Sequence, residues 1–257
     1  MAAARHRLIT RSVGPLLGLL VAVPLGAPLA EPEAVAPPGL WKGLDPTFGP
    51  LFGRRPNGIV LQRVPGPDTD TIRWVTSLRS VERTAALGEG ERLVRLDRFG
   101  RKVDHELRAA LTRARGLVLD LRANRGGSLR RMLRVAARFT GPVPDALRLV
   151  RAEDVRLLPI PTPEGALWRG PITVLVGADT MSSGEVLAAL LRRFAGATVL
   201  GERTFGKDYA LRVEPIAPGW RALIPDGRLE VSGEILAGGL VPDGPIPAGL
   251  AASLPPD

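Results

Sequence analysis

The chain has no cysteine in its 257 residues, which excludes a disulfide framework, a thiolate zinc site, an iron–sulfur cluster and a cysteine nucleophile. Histidine is nearly absent too. His6 and His105 are too few for a histidine metal cage or a Ser-His-Asp triad, and His105 sits in a polar helical stretch that reads as surface. Aromatic residues make up 4% with a single tyrosine, and no block of five or more Lys/Arg occurs, so nucleic acid is not an expected partner. Lysine is scarce as well: the 35 basic residues include only Lys42, Lys102 and Lys207. Chemistry in this chain must run on hydroxyls, carboxylates, amines and backbone dipoles.

What is present is the balance of an ordinary globular protein, 45% hydrophobic and 24% charged. The net charge of +9 includes Arg5, Arg7 and Arg11 in a segment without acids, and an arginine-biased composition accounts for the remainder. Residues 13–30 carry no charge and end in small residues before Glu31, the order of a secretory signal spanning 1–30. An uncleaved membrane anchor is the competing reading, disfavoured by Pro15, Pro24 and Pro28. The expected location is therefore extracytoplasmic, with membrane association only through this segment. Residues 31–58 hold six prolines and five glycines and read as an arm or linker. In the 59–90 region, alternating runs Ile59–Val64 and Thr71–Leu78 flank a six-residue turn and predict a hairpin.

From residue 91 to the end at 257 the periodicity alternates between two and 3.6. Strands are expected at Arg92–Phe99, Gly116–Arg122 and Pro171–Gly177, each followed by a helix, at about 102–114, 128–139 and 183–195. GLVLDL and PITVLVG are continuous apolar runs, as parallel strands covered on both faces require. The expectation is an α/β core, with short strands and turns from Thr198 to Leu236.

Three junctions could carry chemistry. Asp120-Leu-Arg-Ala-Asn-Arg-Gly126-Gly127-Ser128 runs from a strand through a glycine turn into a helix, where backbone N–H groups can face an anion. An ordinary turn with Asp120 and Arg122 paired for packing fits it equally. Gly177-Ala-Asp-Thr-Met-Ser182-Ser183-Gly184-Glu185 presents a serine at a strand-to-helix corner, and Ser182 with Glu185 is also a capping box that needs no catalysis. Gly201-Glu-Arg-Thr-Phe-Gly206-Lys207 carries a lysine in an arginine-dominated chain; unlike arginine, it can lose its proton when desolvated. A solvated loop lysine is the plain alternative.

Taken in order, DLRANRGG, TMSSGE and GERTFGK, followed by Gly239-Leu-Val-Pro-Asp243, resemble the C-terminal processing peptidases, or tail-specific proteases, over roughly residues 91–247. The resemblance implies a spiral α/β domain akin to the Clp peptidase and crotonase folds. It implies Ser182 as nucleophile and Lys207 as general base, their separation of 25 matching the family's. It also implies an oxyanion hole from backbone N–H groups of Gly126 or Gly127 with Ser183, polypeptide substrates and no cofactor. Asp120, Arg122 and Glu185 belong to the matching motifs.

The chain departs from the family at two points. Leu211 stands where many members carry a glutamine four residues after the lysine, and residues 31–90 hold no PDZ-type loop or length. Phe205 and Leu211 are expected to form the apolar surface that lowers the lysine pKa. A non-catalytic peptide- or ligand-binding module keeping the fold is the alternative reading, and a crotonase-type acyl-thioester enzyme a more distant one.

Overall fold

The computed structural model describes residues 60–63, 79–88, 90–217, 220–232 and 234–254. The leader, the arm and the run Thr71–Leu78 lie outside the described residues. Two sheets organise the rest. The first has five strands: β2 (Val81–Gly88), β3 (Glu91–Leu96), β4 (Gly116–Asp120), β7 (Ile172–Val176) and β8 (Thr198–Gly201), in the order β2-β3-β4-β7-β8. β2 joins antiparallel and the others run parallel. β4 lies at the centre, and all five of its residues are buried.

The side chains of β4 explain that unbroken apolar run. Leu117 and Leu119 point into the main core with Val174 and Val176 of β7, whereas Val118 joins Leu93 and Leu175 on the opposite face. The main face is covered by α1 (Val103–Ala110), α2 (Leu129–Thr140) and α3 (Ser183–Ala195). The other is covered by Ile246, Leu250 and Leu254 around the short α4 (Ala248–Ser253). A strand buried on both sides has no polar face to alternate with.

The second sheet is antiparallel. It holds β1 (Val60–Arg63), β5 (Val143–Val150), β6 (Val155–Ile160), β9 (Tyr209–Ala217), β10 (Trp220–Val231) and β11 (Glu234–Ile235). β10 is its spine, pairing β1, β5, β9 and β11. The first strand of the expected hairpin is found as Val60–Arg63, which pairs with Trp220–Leu223 of β10, far along the chain; its expected partner lies outside the described residues. The tail after Thr198 also departs from short strands: β10 runs twelve residues. Strands β2, β5 and β6 carry exposed polar positions and gave no clear apolar run in sequence.

Helix α3 is the element that sets the site. Val186, Leu187, Leu190 and Leu191 are fully buried, and Gly196 ends it in the left-handed conformation. Because β4 and β7 are parallel neighbours, their carboxyl ends deliver the turns before α2 and α3 to one edge of the sheet. Replacing Leu187 by alanine removes a side chain with no room to collapse into. It should lower unfolding free energy by about 2–5 kcal/mol, read as a lower urea midpoint at unchanged slope.

Candidate active site

Four segments meet at that edge. Ser182 is the residue before α3 and is 5% exposed. Its backbone has φ 54° and ψ −121°, a conformation that L residues rarely adopt and that costs roughly 1–3 kcal/mol unless the surroundings impose it. The surroundings do so. Met181 N–H donates to Asn124 O at 2.9 Å, and Val186 N–H donates to Ser182 O at 3.0 Å. Ser182 N–H donates to Glu185 Oε2 at 2.7 Å, half of the capping interaction that the sequence predicted.

The glycine turn lies directly against this corner. A Cβ on Gly126 would fall 2.9 Å from Ser182 Cβ and 3.2 Å from Ser183 N, and Gly126 has φ +93°, so only glycine fits. Asn124 clamps the turn in place. Its Nδ2 donates to Leu96 O at 2.8 Å, and its Oδ1 accepts the Gly126 N–H at 2.8 Å. The Gly126 amide is thus already engaged, and Gly127 forms a parallel bridge with Phe99. Ser183 Oγ donates to Gly127 O at 3.1 Å and ties α3 to the turn a second time. Asp120 accepts three hydrogen bonds from Arg122, from its N–H and Nε on Oδ1, both at 3.0 Å, and from Nη2 on Oδ2 at 2.9 Å, the pairing the sequence allowed them.

Glu185 is the hub. It is fully buried, and its carboxylate accepts four hydrogen bonds: Thr204 Oγ1 and Gly206 N–H on Oε1, both at 2.6 Å, and Ser182 N–H at 2.7 Å and Lys207 N–H at 2.9 Å on Oε2. Two residues twenty-five apart in sequence therefore hang from one oxygen atom. The Thr204–Lys207 loop is braced from behind by the Gly239–Asp243 segment: Leu240 N–H donates to Thr204 Oγ1 at 2.7 Å, and Thr204 N–H donates to Leu240 O at 3.2 Å. A Cβ on Gly239 would collide with Thr204 O, which is why the motif opens on glycine. Asp243 anchors the segment by accepting Val199 N–H at 2.8 Å.

Lys207 is half-buried. Burial holds its ammonium below the ordinary lysine value, while the negative charge of Glu185 pulls the other way. Ser182 Oγ and Lys207 Nζ are not hydrogen-bonded to each other; Nζ lies over the Tyr209 ring, 5.2 Å from its centre. The expected apolar shield is corrected here. Phe205 is 60% exposed, so it offers little buried apolar surface, and its amide N–H donates to Thr180 O at 3.0 Å. Tyr209, on the same strand as Leu211 and two residues nearer the lysine, is the aromatic residue that faces the ammonium.

Asn124, Thr204 and Tyr209 were not singled out from sequence. The first two stand inside matched motifs, and the single tyrosine of the chain, two residues after the rare lysine, was the available signal for the third.

Residues 93–235, more than half of the chain, match the model of peptidase family S41. The chain belongs to peptidase family S41. It is 27% identical over 226 residues to a carboxyl-terminal-processing protease of Picosynechococcus sp., covering 80% of this chain and 52% of that one. It is also 27% identical over 266 residues to the chloroplastic carboxyl-terminal-processing peptidase 2 of Arabidopsis thaliana, covering 93% and 52%. The chain thus spans about half the length of these curated relatives. Its fold is shared with the photosystem II D1 C-terminal processing protease at a TM-score of 0.54 and 23% identity, over 74% of this chain and 48% of that one. The α/β fold class expected from the sequence is the fold of this family.

Glu185→Gln tests the hub without changing its size. Whichever way the amide faces, its NH₂ group meets backbone N–H donors that cannot turn around. The substitution should lower unfolding free energy by roughly 2–4 kcal/mol, measured by urea denaturation of the full chain.

Proposed function

We propose that this S41 member is a serine endopeptidase working through a Ser182–Lys207 dyad and an acyl-enzyme. The observation that carries the reading is the shared Glu185 carboxylate, which holds the backbones of both residues beside the glycine turn. Neutral Lys207 Nζ takes the hydroxyl proton as Ser182 Oγ bonds to the scissile carbonyl carbon. The oxyanion is met by the N–H groups of Gly127 and Ser183, Gly126 keeping its bond to Asn124. Collapse breaks the C–N bond, and the lysine ammonium returns its proton to the departing amine. Water then cleaves the ester with Lys207 again as base, releasing the acid and restoring Ser182.

Nζ must leave the Tyr209 ring to reach Oγ, a tightening common when substrate enters a free site. Leu211 offers no hydrogen bond to orient it, which predicts a slower enzyme than one with an amide there. The substrates are polypeptides, exported or misfolded ones. The protein acts outside the cytoplasm after removal of residues 1–30, and needs no cofactor.

The pH dependence has a definite sign. The base works in its neutral form, and burial lowers the lysine pKa, so cleavage of casein should rise with pH through one ionisation below the ordinary lysine value. Ser182→Ala, Lys207→Ala and Lys207→Arg should each lose activity by about 10³-fold or more while keeping the wild-type unfolding midpoint to within a few degrees. Ser183→Ala, which removes only the bond to Gly127 O, should lose about tenfold or less. Full activity in Lys207→Ala rules the dyad out.

A further inference from the structure

The start of α2 carries charge of the wrong sign for a helix. Its first two turns hold Arg130, Arg131 and Arg134, and its first turn holds no acid, although the positive end of the helix dipole disfavours cations there. Arg101, in the link between β3 and α1, joins them from a second part of the chain. Burial first, and then the charges of Arg101, Arg130 and Arg134, hold the half-buried Arg131 guanidinium below its ordinary value. The four cations are therefore close enough to oppose one another.

The acids closest in sequence are committed elsewhere. Asp97 is bound by Arg95 Nε at 2.9 Å, Asp104 by Arg138 Nη2 at 2.6 Å, and Asp120 by Arg122. Glu106 accepts the N–H groups of Ser80 and Val81, at 2.7 and 3.0 Å. Among the described residues none of the four guanidiniums has a carboxylate partner, and Arg101, Arg130 and Arg134 are exposed.

This cluster adjoins the turn that faces Ser182. Arg131 Nη1 donates to Phe99 O at 3.3 Å, the Arg131 N–H donates to the Ser128 hydroxyl oxygen at 3.4 Å, and Phe99 bridges Gly127. At the helical rise, Arg131 stands about 6 Å and Arg134 about 10 Å along the axis from Gly127, a span that an extended peptide covers in about two to four residues.

We propose that the four arginines form a docking surface for an acidic segment of the polypeptide that Ser182 cleaves, within about five residues of the scissile bond. The inference rests on the peptidase reading for the identity of the chain that passes this turn. Carboxylates arriving there relieve the mutual repulsion of the guanidiniums, and each exposed pair adds a small increment of affinity. The place beside the glycine turn favours a substrate segment over a nucleic acid or a lipid surface.

The test is fluorescence anisotropy of labelled peptides on the full-length Ser182→Ala protein, which reads binding without turnover. Two alanine-rich peptides carry Glu-Glu-Asp before or after a central Ala-Val, and their controls carry Gln-Gln-Asn. In 0.1 M salt one acidic peptide should bind at least about tenfold tighter than its control, equivalent to about 1.4 kcal/mol. The preference should fall below about threefold in 1 M salt, where the screening length drops from about 10 to about 3 Å. Arg130→Gln with Arg134→Gln should remove most of the preference at an unchanged unfolding midpoint, and Arg101→Gln should reduce it. Arg156→Gln with Arg169→Gln, which removes the same charge from exposed positions in β6 and the β6–β7 link, should leave it intact. Acidic peptides no better than their controls, or equal losses in the two double variants, overturn the proposal. So does tighter binding of duplex DNA or phosphatidylglycerol vesicles through the same arginines. Casein cleavage by the wild-type protein is scored separately: cleavage without acidic preference sinks this inference alone, whereas acidic preference without cleavage upholds the docking surface and removes the peptidase reading.

Discussion

Four hydrogen bonds converge on the carboxylate of Glu185 in a place with no access to water, and the positions of the surrounding loops follow from that constraint. A buried carboxylate is tolerable only when its lone pairs are met, so the donors cannot drift. Two come from the corner and loop ends that carry Ser182 and Lys207, and two from the turn of chain between Thr204 and Gly206. The Gly239–Asp243 segment closes the loop from behind, through Thr204 and Leu240. One acid at the start of α3 thereby joins segments that are widely separated in sequence.

The same hub sets opposing demands on the site. It helps hold Ser182 in a backbone conformation that serine avoids, the kind of local strain that survives only where neighbouring contacts over-determine it. It also brings a negative charge toward a lysine that burial is driving toward its neutral form. The Tyr209 face favours the charged form as well. Burial prevails in this balance, which gives the lysine the direction of shift that a general base requires.

Much of this was legible from the chain alone, for physical reasons that differ by element. Helix α3 was expected at 183–195 and is found there, because its apolar face, its Glu185 cap and Gly196 all agree. The β4 and β7 runs were legible because strands buried on both faces are almost wholly apolar, Asp120 and Thr173 being their only polar residues. Strands β2, β5 and β6 were not, since half-exposed strands dilute that signal. The pairing of Val60–Arg63 with β10 was not legible, because local turn signals say nothing of a partner about 160 residues further along the chain. At the site, residue types marked the three junctions, and the family resemblance singled out Ser182, Lys207 and the glycine turn within them. Neither could show that Glu185 is more than a cap, that the Gly126 amide is taken by Asn124, or that Phe205 is exposed while Tyr209 faces the lysine. Those are facts of long-range packing.

The central claim is that this architecture activates Ser182. The most direct measurement is labelling with a fluorophosphonate, which reacts only with an activated serine, followed by peptide mapping across a pH series. The account predicts modification of Ser182 alone, faster as pH rises, and its loss in Lys207→Ala. Label on Ser183 or Ser128, or none on the intact folded protein at any pH, would contradict it.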